Sequence, residues 1–524
     1  MKPILSSATP KQKSGRSDTI KLHCITIDAG EQKTMWQVGK QNNKLAIDRL
    51  IIVSNRLPIA LTRGIKGQWQ VQPSPGGLVT AISPLLGRRG GLWIGWPGTL
   101  GKVHLDKILT VASRDLGYIL KAVSLTEEEI KEYYYGFSNE IIWPLFHDLQ
   151  TRCNFDPAYW NAYQAVNRKF AQVVAEHTRT EDYIWVHDYQ LMLVAKELRS
   201  MGVDNKIGFF LHTPFPSLDI WGKLPWRTKI LEALLDYDVI GFQTRRDRNN
   251  FVRCIEAVHK GIQTDARKQV CKITTPKREI GIGSFPISID FRDFAKQAMS
   301  PIVQGAAIQL RESYPGQQIM LGVDRLDYSK GIPEKLKAFR NALKRFDNLL
   351  GKITLIQVAV PSREVVPGYQ ALRAEIEGLV GEINGIFTKP GWIPIHYMFR
   401  TMKRTELLAY YLAADIALVT SLKDGMNLVA KEYCAANVDK NGVLVLSEFA
   451  GATDQLRGDS LIINPYDIEG LAETIHQAYN MSTDERQRRM QRLRNSVARR
   501  DVFWWVDSFL QAATTKREIE LRGQ

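Results

Sequence analysis

Leu321-Gly-Val-Asp-Arg-Leu-Asp-Tyr-Ser-Lys-Gly-Ile-Pro-Glu334 is the stretch on which the fold turns. The apolar run Ile319 to Val323 reads as a buried strand, and Pro333 opens a helix where its missing N–H costs nothing. Between them lie two cations, Arg325 and Lys330, on a strand-to-helix loop with Gly331. In parallel α/β sheets, ligands collect at the carboxyl ends of strands, where loops and helix N-termini face a crevice. A guanidinium and an ammonium at such a place suit a diphosphate, one as a bidentate fork and the other as a point charge. A solvated pair on a surface loop is the commoner use of such residues, so the clamp depends on what surrounds it.

Downstream, the strand pattern Ile416 to Thr420 runs into Ser421-Leu-Lys-Asp-Gly-Met-Asn-Leu-Val-Ala-Lys-Glu432. Asp424-Gly425 makes a tight loop, and a helix starting near Asn427 presents free backbone N–H groups to an anion. Glu432, one turn in, is placed to hydrogen-bond a ribose lying along the strand ends. Further strand patterns at Ile353 to Ala359 and Val443 to Ser447 alternate with helices at Glu334 to Phe346, Tyr369 to Val380, Arg404 to Ala413 and Leu428 to Ala436. Upstream, a second alternating series runs through Arg49 to Arg56, Gly91 to Gly98, Tyr183 to Tyr189, Lys206 to His212 and Val239 to Gln243. Two such series predict an α/β fold of two facing Rossmann-like domains with the site in the cleft between them.

The expected boundaries are a flexible extension over 1–47, a first domain over 48–290, a second over 291–500, and a terminal helix over 501–524 that packs back on the first. Lys21 to Asp28 alternates and reads as a strand within the extension. A length of 524 residues calls for two or three domains, and 44% hydrophobic with 24% charged residues describes a water-soluble chain with ample cores. Five scattered cysteines without CxxC spacing argue against a disulfide framework or a structural zinc site, and fit a reducing, cytoplasmic setting. No apolar run reaches membrane-spanning length and no signal-peptide core follows Met1.

The net charge of +15 admits nucleic acid, membrane or a phosphorylated substrate. Arg486, Arg488, Arg489, Arg492 and Arg494 fall on a helical pattern that reads as a solvated face, and no nucleic-acid motif accompanies it. Phosphorylated substrates are the simpler cause. Asp236-Tyr-Asp238 has the DxD spacing of metal-dependent sugar transferases, but it precedes a strand, at the edge away from ligands, so no metal site is assigned.

Taken together, Val53-Ser-Asn-Arg56, Gly76-Gly77, Phe137-Ser-Asn-Glu-Ile-Ile-Trp-Pro144, Trp185-Val-His-Asp-Tyr189, Gly208-Phe-Phe-Leu-His212, Arg325 to Gly331 and Asp424 to Glu432 resemble the trehalose-6-phosphate synthase family. The resemblance runs from Arg49 to the Trp504 region. It implies the GT-B architecture and glucosyl transfer with retention from a nucleotide-glucose, typically UDP-glucose, to glucose 6-phosphate, without a metal or other cofactor. It implies that Arg325 and Lys330 grip the donor diphosphate and carry catalysis, with His212 and Asp424 on the donor glucose. Gly76, Gly77, Leu428, Val429 and Glu432 would hold the rest of the donor, while Arg56, Tyr134, Trp143, Asp188 and Arg363 would hold the acceptor.

Two departures stand out: Thr213 where an isoleucine is expected, and the long front extension. A glycerol 3-phosphate glucosylating relative and a catalytically silent sugar-phosphate sensor share this architecture. Intact Arg325, Lys330, Asp424 and Glu432 weigh against silence. The implied partners are small molecules, neither nucleic acid nor membrane, with a homo-oligomer left open. The chain ends soon after the second half, so a separate phosphatase is expected to follow.

Overall fold

The computed structural model describes residues 47, 49–63, 69–73, 77–99, 105–259, 263–264, 270–276, 278–362 and 367–521. Gly76, Arg363 and the Lys21 to Asp28 alternation lie outside the described residues.

Two sheets organise the chain. The strands of the first half are β1 (Arg49–Arg56), β2 (Ile59–Arg63), β3 (Trp69–Pro73), β4 (Leu92–Trp96), β5 (Ile119–Ala122), β6 (Asp182–His187), β7 (Ile207–Phe210), β8 (Val239–Phe242), β9 (Gln263–Thr264), β10 (Val270–Thr274) and β11 (Glu279–Ser284). They form a sheet in the order β5-β4-β1-β6-β7-β8-β11-β10-β9, with β2 and β3 apart as an antiparallel pair. The sheet is parallel from β5 to β11 and antiparallel at its β10–β9 end. The second half contributes β12 (Gln318–Arg325), β13 (Ile353–Val360), β14 (Ile395–Phe399), β15 (Ile416–Val419), β16 (Val443–Ser447) and β17 (Leu461–Ile463). These are parallel throughout, in the order β14-β13-β12-β15-β16-β17.

Each sheet has a point near its centre where the winding direction reverses, between β1 and β6 and between β12 and β15. Helices leave opposite faces at such a point, which opens a crevice outside the carboxyl ends of the two strands. Pairing stops short there: β1 follows β6 only to Val53↔Val186, and β12 follows β15 only to Leu321↔Ala417. A register shift between Val53 and Arg56 re-aims the end of β1.

Each half has its own apolar core. Ile51, Val53, Ile184 and Val186 belong to the first, and Met320, Leu355, Leu418 and Val445 to the second. The helix Val502–Leu521 serves the first half: Phe509 stacks on Trp185 at 4.4 Å, and Trp505 packs at 5.2 Å from Trp185 and 5.1 Å from Phe210. No helix among the described residues is long and apolar enough to cross a membrane.

One expectation is corrected. Arg486 is not on a solvated face; it is buried, and its guanidinium donates to the carbonyls of Met481, Ala478 and Tyr479. Arg494 likewise donates to the carbonyls of Cys434 and Ala435. Arg486 caps the C-terminal end of the helix Ile468–Tyr479 and Arg494 that of the helix Leu428–Ala436, where the last carbonyls have no partner within the helix.

Candidate active site

The loop after β12 is built to hold Lys330 still. The Asp327 carboxylate accepts from the Ser329 N–H at 2.9 Å and from its hydroxyl at 2.8 Å, folding Tyr328–Lys330 into a tight turn. Gly331 follows at φ 64°, and a Cβ there would lie 2.2 Å from the Thr420 carbonyl oxygen, so only glycine lets this turn press against β15. Pro333 then lies in the first turn of the helix Ile332–Arg345. Lys330 is buried, and its Nζ donates to Asp424 Oδ2 at 2.6 Å. Burial alone would raise the Asp424 carboxyl, but the charge and hydrogen bond of Lys330 outweigh it and hold the group below its ordinary value. Arg325, at the exposed end of β12, lies over the Trp143 ring at 5.5 Å.

Asp424 also organises its own loop. Its Oδ1 accepts from the Met426 N–H, and Asn427 Nδ2 approaches its Oδ2 at 3.3 Å. Asn427, at φ 67°, caps the helix Leu428–Ala436 by accepting from the Ala430 N–H. Leu428 and Val429 form the first turn, and Glu432 bonds the Tyr411 hydroxyl at 2.9 Å. Gly425 meets the first half: a Cβ on it would be 2.2 Å from the His212 carbonyl oxygen.

The opposing rim comes from the first sheet. Arg56 stacks over Trp96 at 4.4 Å, and Tyr134 meets the same indole edge-on at 5.9 Å. Tyr134 lies on an unusually wide, π-helical stretch, Ile130–Ile142, which delivers Trp143 at its end. Asp188 follows β6 at φ 74° and accepts from the His212 N–H at 3.2 Å. Burial pushes its carboxyl up to about 6, against the opposing pull of neighbouring backbone amides and Arg325. Burial drives His212 down to about 3, so its imidazole is neutral.

Two cavities fill the space between the rims. The first, of about 390 Å³, is lined by Arg56, Tyr134 and Trp143. The second, of about 470 Å³, is lined by Leu428, Val429 and Glu432. They share Leu78, Asp188, His212, Arg325, Lys330 and Asp424. Each is the size of a small-ligand site. Gly77 begins the helix Gly77–Arg89, whose Leu78 lines both spaces.

The sequence reading missed several lining residues. His147 packs at a tilt against Trp143 at 4.1 Å, is buried, and is lowered to about 4 chiefly by desolvation. Gln243, just past β8, lines the second cavity; a polar residue ending a buried strand was the available signal. Lys423, next to the lining residue Asp424, pairs with Asp148 of the first half. The Asp236-Tyr-Asp238 stretch has structural employment: Asp238 pairs with Arg199 and Lys206 and accepts from the Ile207 N–H.

Known proteins resemble the chain over this whole frame. A trehalose-6-phosphate synthase of Mycolicibacterium vanbaalenii is 42% identical over 476 residues, covering 90% of this chain and 96% of that protein. The crystal structure of a UDP-forming α,α-trehalose-phosphate synthase from Burkholderia xenovorans in complex with glucose-6-phosphate superposes with a TM-score of 0.79 at 33% identity, covering 89% of this chain and 99% of that one. An E. coli structure bound with UDP-2-fluoro glucose gives the same TM-score, 0.79, at 36% identity and the same coverage, 89% and 99%. The model of glycosyltransferase family 20 matches residues 48–515, which take in both sheets and the cleft between them. The chain belongs to glycosyltransferase family 20.

Proposed function

We propose that the protein transfers glucose, with retention of anomeric configuration, from UDP-glucose to glucose 6-phosphate, forming trehalose 6-phosphate. The observation that carries this reading is the pair of cavities meeting at Arg325, Lys330, Asp188, His212 and Asp424. A donor in one space and an acceptor in the other would bring their reacting atoms together at that junction. Relatives named for this reaction, and solved structures described with glucose-6-phosphate and a UDP-glucose analogue, support it.

In this reading the uridine and ribose lie by Leu428, Val429 and Glu432, with the diphosphate against Arg325 and Lys330. As the bond from the anomeric carbon to the diphosphate oxygen breaks, negative charge grows on the leaving group. The two cations stabilise that charge more in the transition state than in the bound donor, which is what accelerates the step. The acceptor phosphate sits towards Arg56, and Asp188 accepts a sugar hydroxyl. The attacking hydroxyl approaches the oxocarbenium-like carbon on the face the diphosphate leaves, and gives its proton to the departing phosphate oxygen. No protein base is then required. Because the leaving-group charge is met by side-chain cations, we also propose that the reaction needs no divalent metal.

The product keeps its phosphate, so removing it falls to a separate phosphatase activity. A cytoplasmic setting is supported by Cys153, Cys254 and Cys434, which are free thiols.

The test is nucleotide release by purified protein with UDP-, ADP- and GDP-glucose, each paired with glucose 6-phosphate or glycerol 3-phosphate, with and without a chelator. Release with UDP-glucose and glucose 6-phosphate, unaffected by chelation, is expected. No release with any pair defeats the enzyme reading. Preference for glycerol 3-phosphate would reassign the acceptor.

A further inference from the structure

A chain of hydrogen bonds runs behind the donor cavity and fixes which nitrogen of His212 carries its proton. It begins in the connection between the two halves. The Ile287 N–H donates to Gln243 Oε1 at 2.9 Å, so the Gln243 amide cannot be flipped without losing that bond. Its Nε2 therefore faces His212 Nδ1, at 3.3 Å. An amide nitrogen only donates, so His212 Nδ1 must be the bare, accepting nitrogen. With the imidazole neutral, the proton is then on Nε2, which lies 3.1 Å from His187 Nδ1 and donates to it.

His187 must in turn be the Nε2–H tautomer. Its Nε2 is buried without a hydrogen-bond partner among the described residues, which is the expected end of a chain whose direction is set from the Gln243 side. The reverse direction fails. A proton on His187 Nδ1 would force one onto His212 Nδ1, where it would confront the Gln243 N–H. Burial keeps both rings neutral, so neither escapes the conflict by accepting a second proton.

We propose that Gln243 is a positioning residue for glucosyl transfer: anchored by the Ile287 N–H, it holds His212 as the Nε2–H tautomer with the Nδ1 lone pair at the edge of the donor-sugar cavity. Gln243 and His212 both line that cavity. A sugar hydroxyl reaching that edge can donate to the His212 Nδ1 lone pair, so the tautomer favours a donor with a hydroxyl at that position. The opposite tautomer would offer an N–H in place of the lone pair and repel the hydroxyl proton.

The inference rests on the glucosyl-transfer reading, and the experiment separates the two. The full-length protein is labelled with 15N-histidine, and the ring nitrogens of His212 are assigned by comparison with a His212→Asn variant. In the wild type, Nδ1 should give the signal of a bare imidazole nitrogen and Nε2 that of a protonated one. Gln243→Glu replaces the donating amide by a carboxylate, which accepts from Nδ1–H, so the Nδ1 signal should move to the protonated position. Together with this, kcat/KM for UDP-glucose should fall about tenfold, the size of one hydrogen bond lost at the sugar.

Gln243→Met, which keeps the volume and removes both hydrogen bonds, should show mixed His212 tautomers and a smaller loss. If Gln243 acts through His212, the Gln243→Glu/His212→Asn double variant should be no slower than His212→Asn alone. Strictly additive losses, or a Gln243→Glu protein with an unchanged His212 signal, would overturn the relay. A wild type that releases no UDP would instead sink the glucosyl-transfer reading, and the sugar-facing role with it.

Discussion

On the rim supplied by the first sheet, Arg56 apart, the polar groups nearest the cleft are ones whose charge burial opposes. His187 and His212 are neutral, and Asp188 takes up a proton at about pH 6. On the rim supplied by the second sheet, Arg325 stands at a strand end, Lys330 and Asp424 form an ion pair, and a further buried pair, Lys335 with Asp324, lies beneath them. Both rims occupy the same place in the same kind of sheet, outside the strands where the winding reverses. Topology therefore explains where each rim lies but not its chemistry. Neutral, hydrogen-bonded groups suit the reading of sugar hydroxyls, whose orientation matters more than their charge. Fixed charges suit a diphosphate, whose negative charge grows as it leaves. A buried ion pair is weak evidence for stability, because desolvation consumes most of its Coulombic gain. Its value at Lys330 lies in presenting an ammonium held in place before the substrate arrives.

The comparison breaks first at Lys330. Lys330→Ala should lower kcat by about 10³, as for removal of one preorganised charge-stabilising donor, while thermal unfolding stays cooperative. Near-normal turnover would move catalysis off the charged rim altogether. Next comes Lys335, fully buried, whose Nζ donates to Asp324 Oδ2 at 2.6 Å and to Gln357 Oε1 at 3.1 Å. Lys335→Met should destabilise the protein by about 3 kcal/mol in denaturant titration, because it leaves a carboxylate buried without its cation. The loss falls at the low end because Gln357 Nε2 still donates to Asp324 at 3.2 Å. An unchanged midpoint would show that the second rim's charges are not buried in the sense argued here.

Much of this arrangement can be read from sequence because the strands that carry the site are buried on both faces. They appear as unbroken apolar runs ending in polar loops, as at Ile319 to Arg325 and Ile416 to Asp424. Elements away from the centre do not announce themselves. β14 is half-exposed over most of its length and mixes polar with apolar residues, while β17 has only three residues. The antiparallel end β10–β9 and the pair β2–β3 depend on partners brought together by the fold. The π-helical stretch before Trp143 has no periodic signature distinct from an ordinary helix. A polar helical pattern predicts a solvated Arg486; here the carbonyl-rich end of the helix Ile468–Tyr479 takes up its guanidinium. Gln243 was missed for a related reason: its role depends on the Ile287 N–H, 44 positions away.

The smallest effect, at Asp188, sharpens the comparison most, because it tests whether the neutral rim must become charged to work. With its carboxyl near 6, Asp188 is an acceptor-only carboxylate above that pH and carries a proton below it. If it accepts a sugar hydroxyl, kcat/KM for glucose 6-phosphate should fall about tenfold per unit below pH 6, with one proton controlling the limb. Asp188→Asn should remove this control by the site and cost about tenfold at pH 8, the size of one charge-assisted hydrogen bond. The same variant should melt higher at pH 8. The carboxyl's folded value, about 6, lies above its ordinary 3.8, so the folded protein binds this proton more tightly than the unfolded chain does. Stability contributed by the group therefore falls as pH rises from 3.8 through 6 and stays lost above. An asparagine carries no such penalty. A variant with lower activity and a higher melting temperature at pH 8 would show that the first rim gives up stability to hold an ionised carboxylate where the acceptor binds. A lower melting temperature would mean that the backbone amides around Asp188 favour its charge more than burial opposes it, and the two rims would then differ in degree rather than in kind.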